Sequence, residues 1–167
     1  MWDKLINKFK SYPAQEAAVK LIFERGFQIS EEGKVCSGTI KIPHTQIAKE
    51  AEVDPRAVDA AALRILEDEE LFLFFKNLKS VAFLRDAAPL LGLGVIVITP
   101  KFGEDIGIIA EVSRIIADEG YSIRQAISDD PYMIKNPKLT IITNKKLSGA
   151  AMEKIVAAKG IDSVSIK

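Results

Sequence analysis

The spacing of hydrophobic residues changes near the middle of the chain. Up to about residue 88, apolar side chains recur every three or four residues, the period of amphipathic helices. Beyond residue 94, short β-branched runs and alternating segments separate two further helical stripes. The change falls at Ala88, Pro89 and Leu90, followed by Gly92 and Gly94. We therefore predict two domains, a helical one over residues 1–88 and a mixed one over residues 89–167.

Two closely spaced helices are predicted in the first domain, over HTQIAKEAEV and DPRAVDAAALRILED. Asp54 is suited to cap the second helix, and Pro55 is favoured in its first turn. A short turn between two amphipathic helices predicts a helix-turn-helix, although an ordinary helical hairpin has the same signature. The polar segment Ser30–Ser37 is predicted as a loop, and Thr39–Pro43 as a short strand-like piece. The apolar segment LFLFFKNLKSVAFL is expected to be buried, as a linker helix.

The charge of this region does not favour DNA as a partner. Residues 44–70 carry three bases and eight acids, a net charge of −5. Binding to DNA depends on cations, and the second helix offers mainly alanines where Arg, Lys, Asn or Gln would read bases. A separate basic face is available at Lys4, Lys8, Lys10 and Lys20, but such spacing is also typical of a solvated helix surface.

The second half of the chain predicts the order βαββαβ. The strands are GVIVITP, SIRQAIS, KLTIIT and IDSVSIK. Helical stripes formed by Ile109, Val112 and Ile116, and by Met152, Ile155 and Val156, supply the helices. In SIRQAIS, alternation places Ile123 and Ile127 on one side, and in IDSVSIK it places Val164 and Ile166 inward. Ser148 is predicted to cap the second helix. Right-handed crossovers would give a four-stranded antiparallel sheet with both helices on one face. The other face then needs a cover from a partner subunit or from the first domain.

Composition limits the classes of function. Hydrophobic residues make up 48% and charged residues 28%, typical of a globular fold. No apolar run is long enough to span a membrane, and the amino terminus lacks a signal-peptide pattern, so we expect no membrane partner and a cytoplasmic protein. Cys36 and His44 are the sole residues of their kinds, which indicates no metal site and no Cys/His catalytic centre. We expect a non-catalytic protein without a cofactor.

The stretch EDIGIIAEVSRIIADEG, residues 104–120, has two explanations. In the first, Asp105 caps a structural helix, Gly107 allows close packing and Gly120 ends the helix. In the second, free N–H groups at the helix start bind a carboxylate, while Glu104 and Asp105 bind a cation. A zwitterionic amino acid would satisfy both groups. A phosphate would be repelled by the two acids.

These residues and the βαββαβ order resemble the ACT domain family of small-molecule sensors. The family motif, an acid, two residues, then glycine and an aliphatic run, corresponds to Glu104, Asp105, Ile106, Gly107 and Ile108. The whole chain resembles archaeal predicted regulators of amino-acid metabolism that join a helix-turn-helix-like segment to one ACT domain. The resemblance implies an α+β protein with a ferredoxin-like ACT domain that dimerises and binds an amino acid. Ile106 departs from the family, where proline is frequent.

The resemblance also implies that pairing of SIRQAIS edges brings Gln125 and Arg124 of one subunit toward the turn of another. Three functions then remain open. The leading one is a dimeric amino-acid sensor whose helical domain passes the signal to DNA or to a protein. The second is a dimerising scaffold without a ligand. The third, an acylphosphatase-type enzyme, lacks the arginine-bearing glycine loop that its chemistry requires.

Overall fold

The protein is described by a computed structural model that covers residues 2–132, 134 and 136–167, with only the backbone of residues 2–4. Contacts divide the chain into two compact units, the first ending at Ala82 and the second spanning Phe83–Lys167. The predicted domain boundary, at residues 88–89, lies slightly later in the chain than this division. Leu84 and Ala88 pack against strand residues of the second unit, which accounts for the earlier division.

The first unit contains five helices and three short strands among its described residues. The helices are α1 (Trp2–Asn7), α2 (Pro13–Glu24), α3 (His44–Glu50), α4 (Pro55–Glu67) and α5 (Glu69–Lys76). The strands are β1 (Gln28–Ile29), β2 (Val35–Ser37) and β3 (Ile40–Lys41), paired antiparallel in that order. The prediction of a loop over residues 30–37 was therefore wrong for residues 35–37, which form β2. Strands of two or three residues are too short to produce a detectable alternation.

Helices α3 and α4 are joined by the four residues 51–54. As predicted, the Asp54 side chain accepts a hydrogen bond from the Arg56 N–H at 2.8 Å, and Pro55 begins α4. Val58 and Ile65 of α4 are completely buried in the core of the unit, together with Ile22 of α2. The two helices thus pack as a pair against α2.

Helix α5 is shorter than the apolar segment around it. Leu71 and Phe75 are completely buried, whereas Leu73 is 63% exposed. The chain leaves the helix after Lys76, and Val81 is exposed. The expectation that the whole segment would be buried was therefore wrong, because one helix turns only part of an apolar run toward a core.

The described part of the second unit contains four strands and two α-helices. These are β4 (Gly94–Pro100), α6 (Ile108–Asp118), β5 (Ile123–Ser128), β6 (Leu139–Thr143), α7 (Gly149–Val156) and β7 (Ile161–Ile166). The strands form an antiparallel sheet in the order β5-β6-β4-β7, which is compatible with a ferredoxin-like fold. Ser148 caps α7 by accepting the Ala151 N–H at 3.2 Å, as predicted.

One face of this sheet packs against both helices. Ile96 and Ile98 of β4 contact a core formed with Val112 and Ile116 of α6 and Ile155 of α7. Three residues predicted for this core are instead exposed by half or more: Ile109, Val156 and Ile166. Ile108 and Ile115 are buried in place of Ile109, because the buried stripe of α6 is rotated from the predicted one.

The opposite face of the sheet is partly covered from within the same unit. Val95, Val97 and Ile142 are buried there against Leu84, Ala88 and Leu93. These last three residues flank or belong to a 3₁₀ turn, Ala88–Leu91, directly before β4. The predicted cover by a partner or by the helical domain is therefore not needed at these positions.

An irregularity in β5 changes which residues share a face. Ile123 pairs with Thr143, but Gln125 pairs with Ile142 and Ile127 with Thr140, so one extra residue is inserted at Arg124. A bulge of this kind shifts the side-chain alternation by one position. Ile123 and Ile127 therefore lie on opposite faces, and the prediction that they share one was wrong.

Candidate functional site

The turn between β4 and α6 contains four of the seven predicted ligand-binding residues, and a fifth, Ile108, begins the helix. Gly107 directly precedes α6, and its φ of 92° and ψ of −1° are left-handed. No side chain of the described residues caps this helix. The explanation in which Asp105 caps α6 was therefore wrong. The chain turns into the helix through the glycine backbone, a conformation that costs other residues about 1–2 kcal/mol.

The uncapped start leaves backbone donors available. The first hydrogen bond within the helix runs from the Glu111 N–H to the Gly107 carbonyl at 2.9 Å. The N–H groups of Ile108, Ile109 and Ala110 precede this bond and have no carbonyl one turn earlier to accept them. Together with the helix dipole, such groups favour an anion.

Among the described residues, two clefts adjoin this turn and share Asp105, Gly107 and Ile108. The first, which we name the edge cleft, has a volume of about 410 Å³ and reaches the end of the edge strand β5. Its other lining residues are Pro100, Gly103, Ile109, Ala110, Ser128, Asp129, Pro137, Lys138 and Leu139. The second, the lysine cleft, has a volume of about 530 Å³. Its other lining residues are Lys101, Phe102, Ile106, Glu111, Lys159 and Gly160.

The predicted residues of the turn differ in their position. Asp105 lines both clefts, whereas Glu104 is exposed and lines neither. Ile106 is completely exposed, at 102%, and borders the lysine cleft. Ile108 is 9% exposed and its side chain belongs to the core beneath the helices. The two acids predicted to act together are thus not equivalent.

Arg124 and Gln125 lie at the opposite end of the sheet from the turn within one chain. The start of β5 is level with Gly94 at the start of β4, while the turn follows the end of β4. The Gln125 Oε1 accepts the backbone N–H of Leu84 at 3.0 Å. The structure therefore does not bring these two residues to the turn of their own chain, and Gln125 holds the segment that covers the sheet.

The lysine cleft contains charged residues that the sequence pattern did not indicate. Lys101 and Lys159 line the same cleft because β4 and β7 are antiparallel neighbours, with Pro100 paired to Ile161. The Lys101 N–H donates to the Gly160 carbonyl at 2.8 Å. A Cβ on Gly160 would lie 3.4 Å from the Asp105 Oδ2. Strand order, rather than any local motif, was the signal by which these residues could have been found.

His44 has a structural environment in the first unit. Its Nδ1 lies 2.7 Å from the Asp59 Oδ1, and its Nε2 lies 3.3 Å from the Val35 N, as the acceptor of that N–H. The ring thus joins β2, the start of α3 and the middle of α4. Among the described residues, no group of three His, Cys, Asp or Glu side chains could hold a metal ion.

The surface of the helix pair is mixed in charge and contains few bases. The exposed residues of α4 after Pro55 are Arg56, Asp59, Leu63 and Glu67. The proposed lysine face is partly neutralised, since Lys8 lies 2.6 Å from Asp68 and Lys20 lies 2.6 Å from Glu16. The Lys4 side chain is outside the described part of the chain. A helix surface with more acids than bases is poorly suited to a DNA groove.

Comparisons with known proteins give limited information. No protein-family model matches the chain, and no curated protein matches it significantly. A homoserine dehydrogenase from Thiobacillus denitrificans is similar over 68% of this chain, at 16% identity and a TM-score of 0.36, and the match spans 28% of that enzyme. A solved protein named PH0061 is similar over 78% of this chain and 82% of its own, at 13% identity and a TM-score of 0.28. Similarities this low carry no argument about function.

No helix in residues 2–132 or 136–167 has both the length and the apolar character needed to cross a membrane.

Proposed function

We propose that this protein is a non-catalytic regulator of amino-acid metabolism. Its second unit, an ACT-type domain, binds a free amino acid at the turn before α6 within a homodimer. The first unit passes the bound state to a partner, and its acid-rich helix pair favours a protein over DNA. The resemblance of residues 104–108 to the ACT motif motivates the proposal.

The uncapped start of α6 beside Asp105 is the observation that carries the proposal. Three backbone N–H groups favour a carboxylate, and an adjacent exposed aspartate favours an ammonium group. These two groups are the two charges of an amino acid. Both clefts border Asp105 and Gly107, so space for a ligand adjoins them on either side.

A dimer would complete the edge cleft. Strand β5 is at one edge of the sheet, with exposed backbone available for pairing. If two copies pair antiparallel through β5 about a twofold axis, the start of one strand meets the end of the other. If the axis passes at Ala126, Arg124 of one copy lies beside Ser128 of its partner, and Ser128 lines the edge cleft. This arrangement supports a role for Arg124 in the ligand site.

A thermal-shift screen of free amino acids tests the proposal. One amino acid should bind with a dissociation constant between roughly micromolar and millimolar, equivalent to about 4–8 kcal/mol. At a hundredfold excess over that constant, it should stabilise the fold by about 2.7 kcal/mol and raise the melting temperature by several degrees. The absence of a shift with every amino acid would contradict the proposal.

Gly107→Ala and Gly120→Ala form a matched pair for locating the site. Both glycines have left-handed backbones, at φ of 92° and 74°, and an added Cβ at either meets no atom within 4 Å. Each substitution should cost about 1–2 kcal/mol in strain. Only Gly107→Ala should also weaken ligand binding, because Gly107 borders both clefts and Gly120 ends the same helix. Equal binding by the two variants would place the ligand elsewhere.

Asp105→Asn and Glu104→Gln separate the two acids. Each removes one charge with little change in shape. Asp105→Asn should weaken binding, because Asp105 lines both clefts, and Glu104→Gln should leave binding nearly unchanged. Isothermal titration of both variants provides the measurement, and the reverse order would contradict this assignment.

A dimerising scaffold without a ligand is the second candidate. An added Cβ on Gly107 would meet no atom, and the left-handed backbone alone accounts for a glycine at this position. The glycine therefore does not require a ligand, which favours the scaffold. Sedimentation separates the outcomes in combination with the thermal-shift screen. A dimer that no amino acid stabilises supports the scaffold, whereas an 18.3 kDa monomer at micromolar concentration removes the basis for a site shared between subunits.

A further inference from the structure

The charged groups of the lysine cleft differ in whether they already have partners. Glu111 is paired, since its Oε1 lies 2.8 Å from Arg114. Lys101, Lys159 and Asp105 have no ion-pair partner within the part of the chain that the structure describes, although other acids and bases of the same unit are paired. The cleft therefore presents two uncommitted cations and one uncommitted anion.

Backbone contacts hold these three residues around one space. The hydrogen bond from the Lys101 N–H to the Gly160 carbonyl ties the end of β4 to the residue before β7. Lys159 directly precedes Gly160, and the Asp105 carboxylate lies close to the Gly160 backbone. The three charged residues thus come from two strand ends and one turn that are fixed against each other.

The geometry points to an amino acid with a carboxylate side chain as the ligand of the lysine cleft. In such a ligand, the N–H groups at the start of α6 and Asp105 would bind the α-carboxylate and the ammonium group. Lys101 and Lys159 would then both pair with the side-chain carboxylate. A volume of about 530 Å³ is within the range of small-molecule sites. This inference rests on the proposed function and specifies the class of its ligand.

The edge cleft lacks the same complement. Its charged residues are Asp105, Asp129 and Lys138, and the Asp129 Oδ2 already accepts the Lys138 backbone N–H at 3.0 Å. Two acids and one base would repel a second carboxylate. Pro100, Pro137 and Leu139 make much of its remaining wall apolar. A neutral amino acid bound here is therefore the alternative outcome.

Titration calorimetry of the full chain with matched ligands tests the inference. The ligands are aspartate and glutamate, their neutral amides asparagine and glutamine, succinate, which lacks the ammonium group, and leucine. One acidic amino acid should bind about tenfold more tightly than its amide and more tightly than succinate, because two exposed ion pairs contribute about two- to fivefold each. The preference should decrease at high salt.

Lysine variants assign the effect to the cleft. Lys101→Gln and Lys159→Gln should each lower affinity for the acidic ligand by about two- to fivefold while affinity for its amide stays unchanged. Lys146→Gln is the control, since Lys146 is exposed and contributes to neither cleft. Equal affinity for acid and amide, or lysine variants that behave like the control, would overturn the inference.

The failure of the inference and that of the proposed function give different results. If leucine or an amide binds best and Asp105→Asn weakens that binding, the sensor proposal stands and the carboxylate preference is wrong. If none of the ligands and no other common amino acid binds, both fail.

Discussion

Two aspartates lie near helix starts in the two units and have different roles. Asp68 directly precedes α5, accepts the Leu71 N–H at 3.0 Å and lies 2.6 Å from the Lys8 ammonium. Asp105 lies three residues before α6, does not cap it and faces two clefts. The Lys8 ion pair, followed by the bond from the Leu71 backbone, lowers the pKa of Asp68.

The comparison separates charges that hold the fold from charges that are free to bind. Asp68 joins the turn after α1 to the start of α5, and its loss should reduce stability without any ligand. Asp105 makes no such bond among the described residues, so its loss should matter only when a ligand is present. Similar residues before a helix therefore have opposite experimental signatures, and the start of α6 is the place to look for ligand recognition.

The largest difference in stability is expected between substitutions of two isoleucines near the start of α6, Ile108 and Ile106. Ile108→Ala should destabilise the protein by about 2–5 kcal/mol, because it leaves a cavity in the core beneath the helices. Ile106→Ala should change stability by less than about 0.5 kcal/mol, since Ile106 is completely exposed. Urea unfolding followed by circular dichroism measures both. Similar losses in the two variants would mean that the turn is packed rather than open.

The two aspartates give the next effect. Asp68→Ala should cost about 1–2 kcal/mol, because it removes a helix cap and an ion-pair partner. Asp105→Ala should stay within about 0.5 kcal/mol in the absence of ligand. A large loss for Asp105→Ala in ligand-free protein would show that Asp105 is structural and would break the comparison.

The lowered pKa of Asp68 predicts the direction of a pH effect. Because the folded protein favours the charged form, the stabilisation is fully present above the ordinary aspartate pKa of about 3.9. It is lost as the pH falls through the lowered folded-state pKa. The stability difference between wild type and Asp68→Asn should therefore shrink with acidification below about pH 4. Lys8→Gln should reduce this pH dependence, and an unchanged profile would contradict the assignment to the ion pair.

A smaller gain in stability is expected in the turn between α3 and α4. Among the described residues, Glu52 is the one non-glycine residue with a positive φ, at 54°. Glu52→Gly should stabilise the first unit by about 0.5–1 kcal/mol, since relief of left-handed strain exceeds the added chain entropy. Lys49→Gly, within α3, should instead destabilise by about 1 kcal/mol. Thermal unfolding of both variants provides the measurement, and a loss with Glu52→Gly would refute the strain argument.

The smallest expected effect is the binding of the chain to DNA. With a net charge of −5 over residues 44–70 and Lys8 paired to Asp68, the full chain should bind duplex DNA no more tightly than about 10⁻⁴ M at physiological salt. Fluorescence anisotropy at several salt concentrations measures this affinity. Tight binding with a steep salt dependence would show that the first unit reads nucleic acid and that its charges are not committed to the fold.

Much of the secondary structure was predictable because it depends on local pattern. The β-branched run of β4, the capping residues Asp54 and Ser148, and the left-handed glycine after α6 were all identified from sequence and are present in the structure. The strand-like piece predicted over Thr39–Pro43 contains β3, whereas β1, β2 and the bulge at Arg124 were not predicted. A two-residue strand has no period to detect, and a bulge depends on which neighbour the strand pairs with.

For the candidate site, the sequence by itself determined that a glycine turn with nearby acids leads into an apolar helix. Only the tertiary structure decided which groups surround that turn. It places Asp105, but not Glu104, in the clefts, puts Arg124 and Gln125 at the far end of the same sheet and brings Lys159 and Lys101 to one cleft. The physical reason is strand order: antiparallel pairing of β4 with β7 joins residues nearly 60 positions apart, a contact that no local pattern encodes.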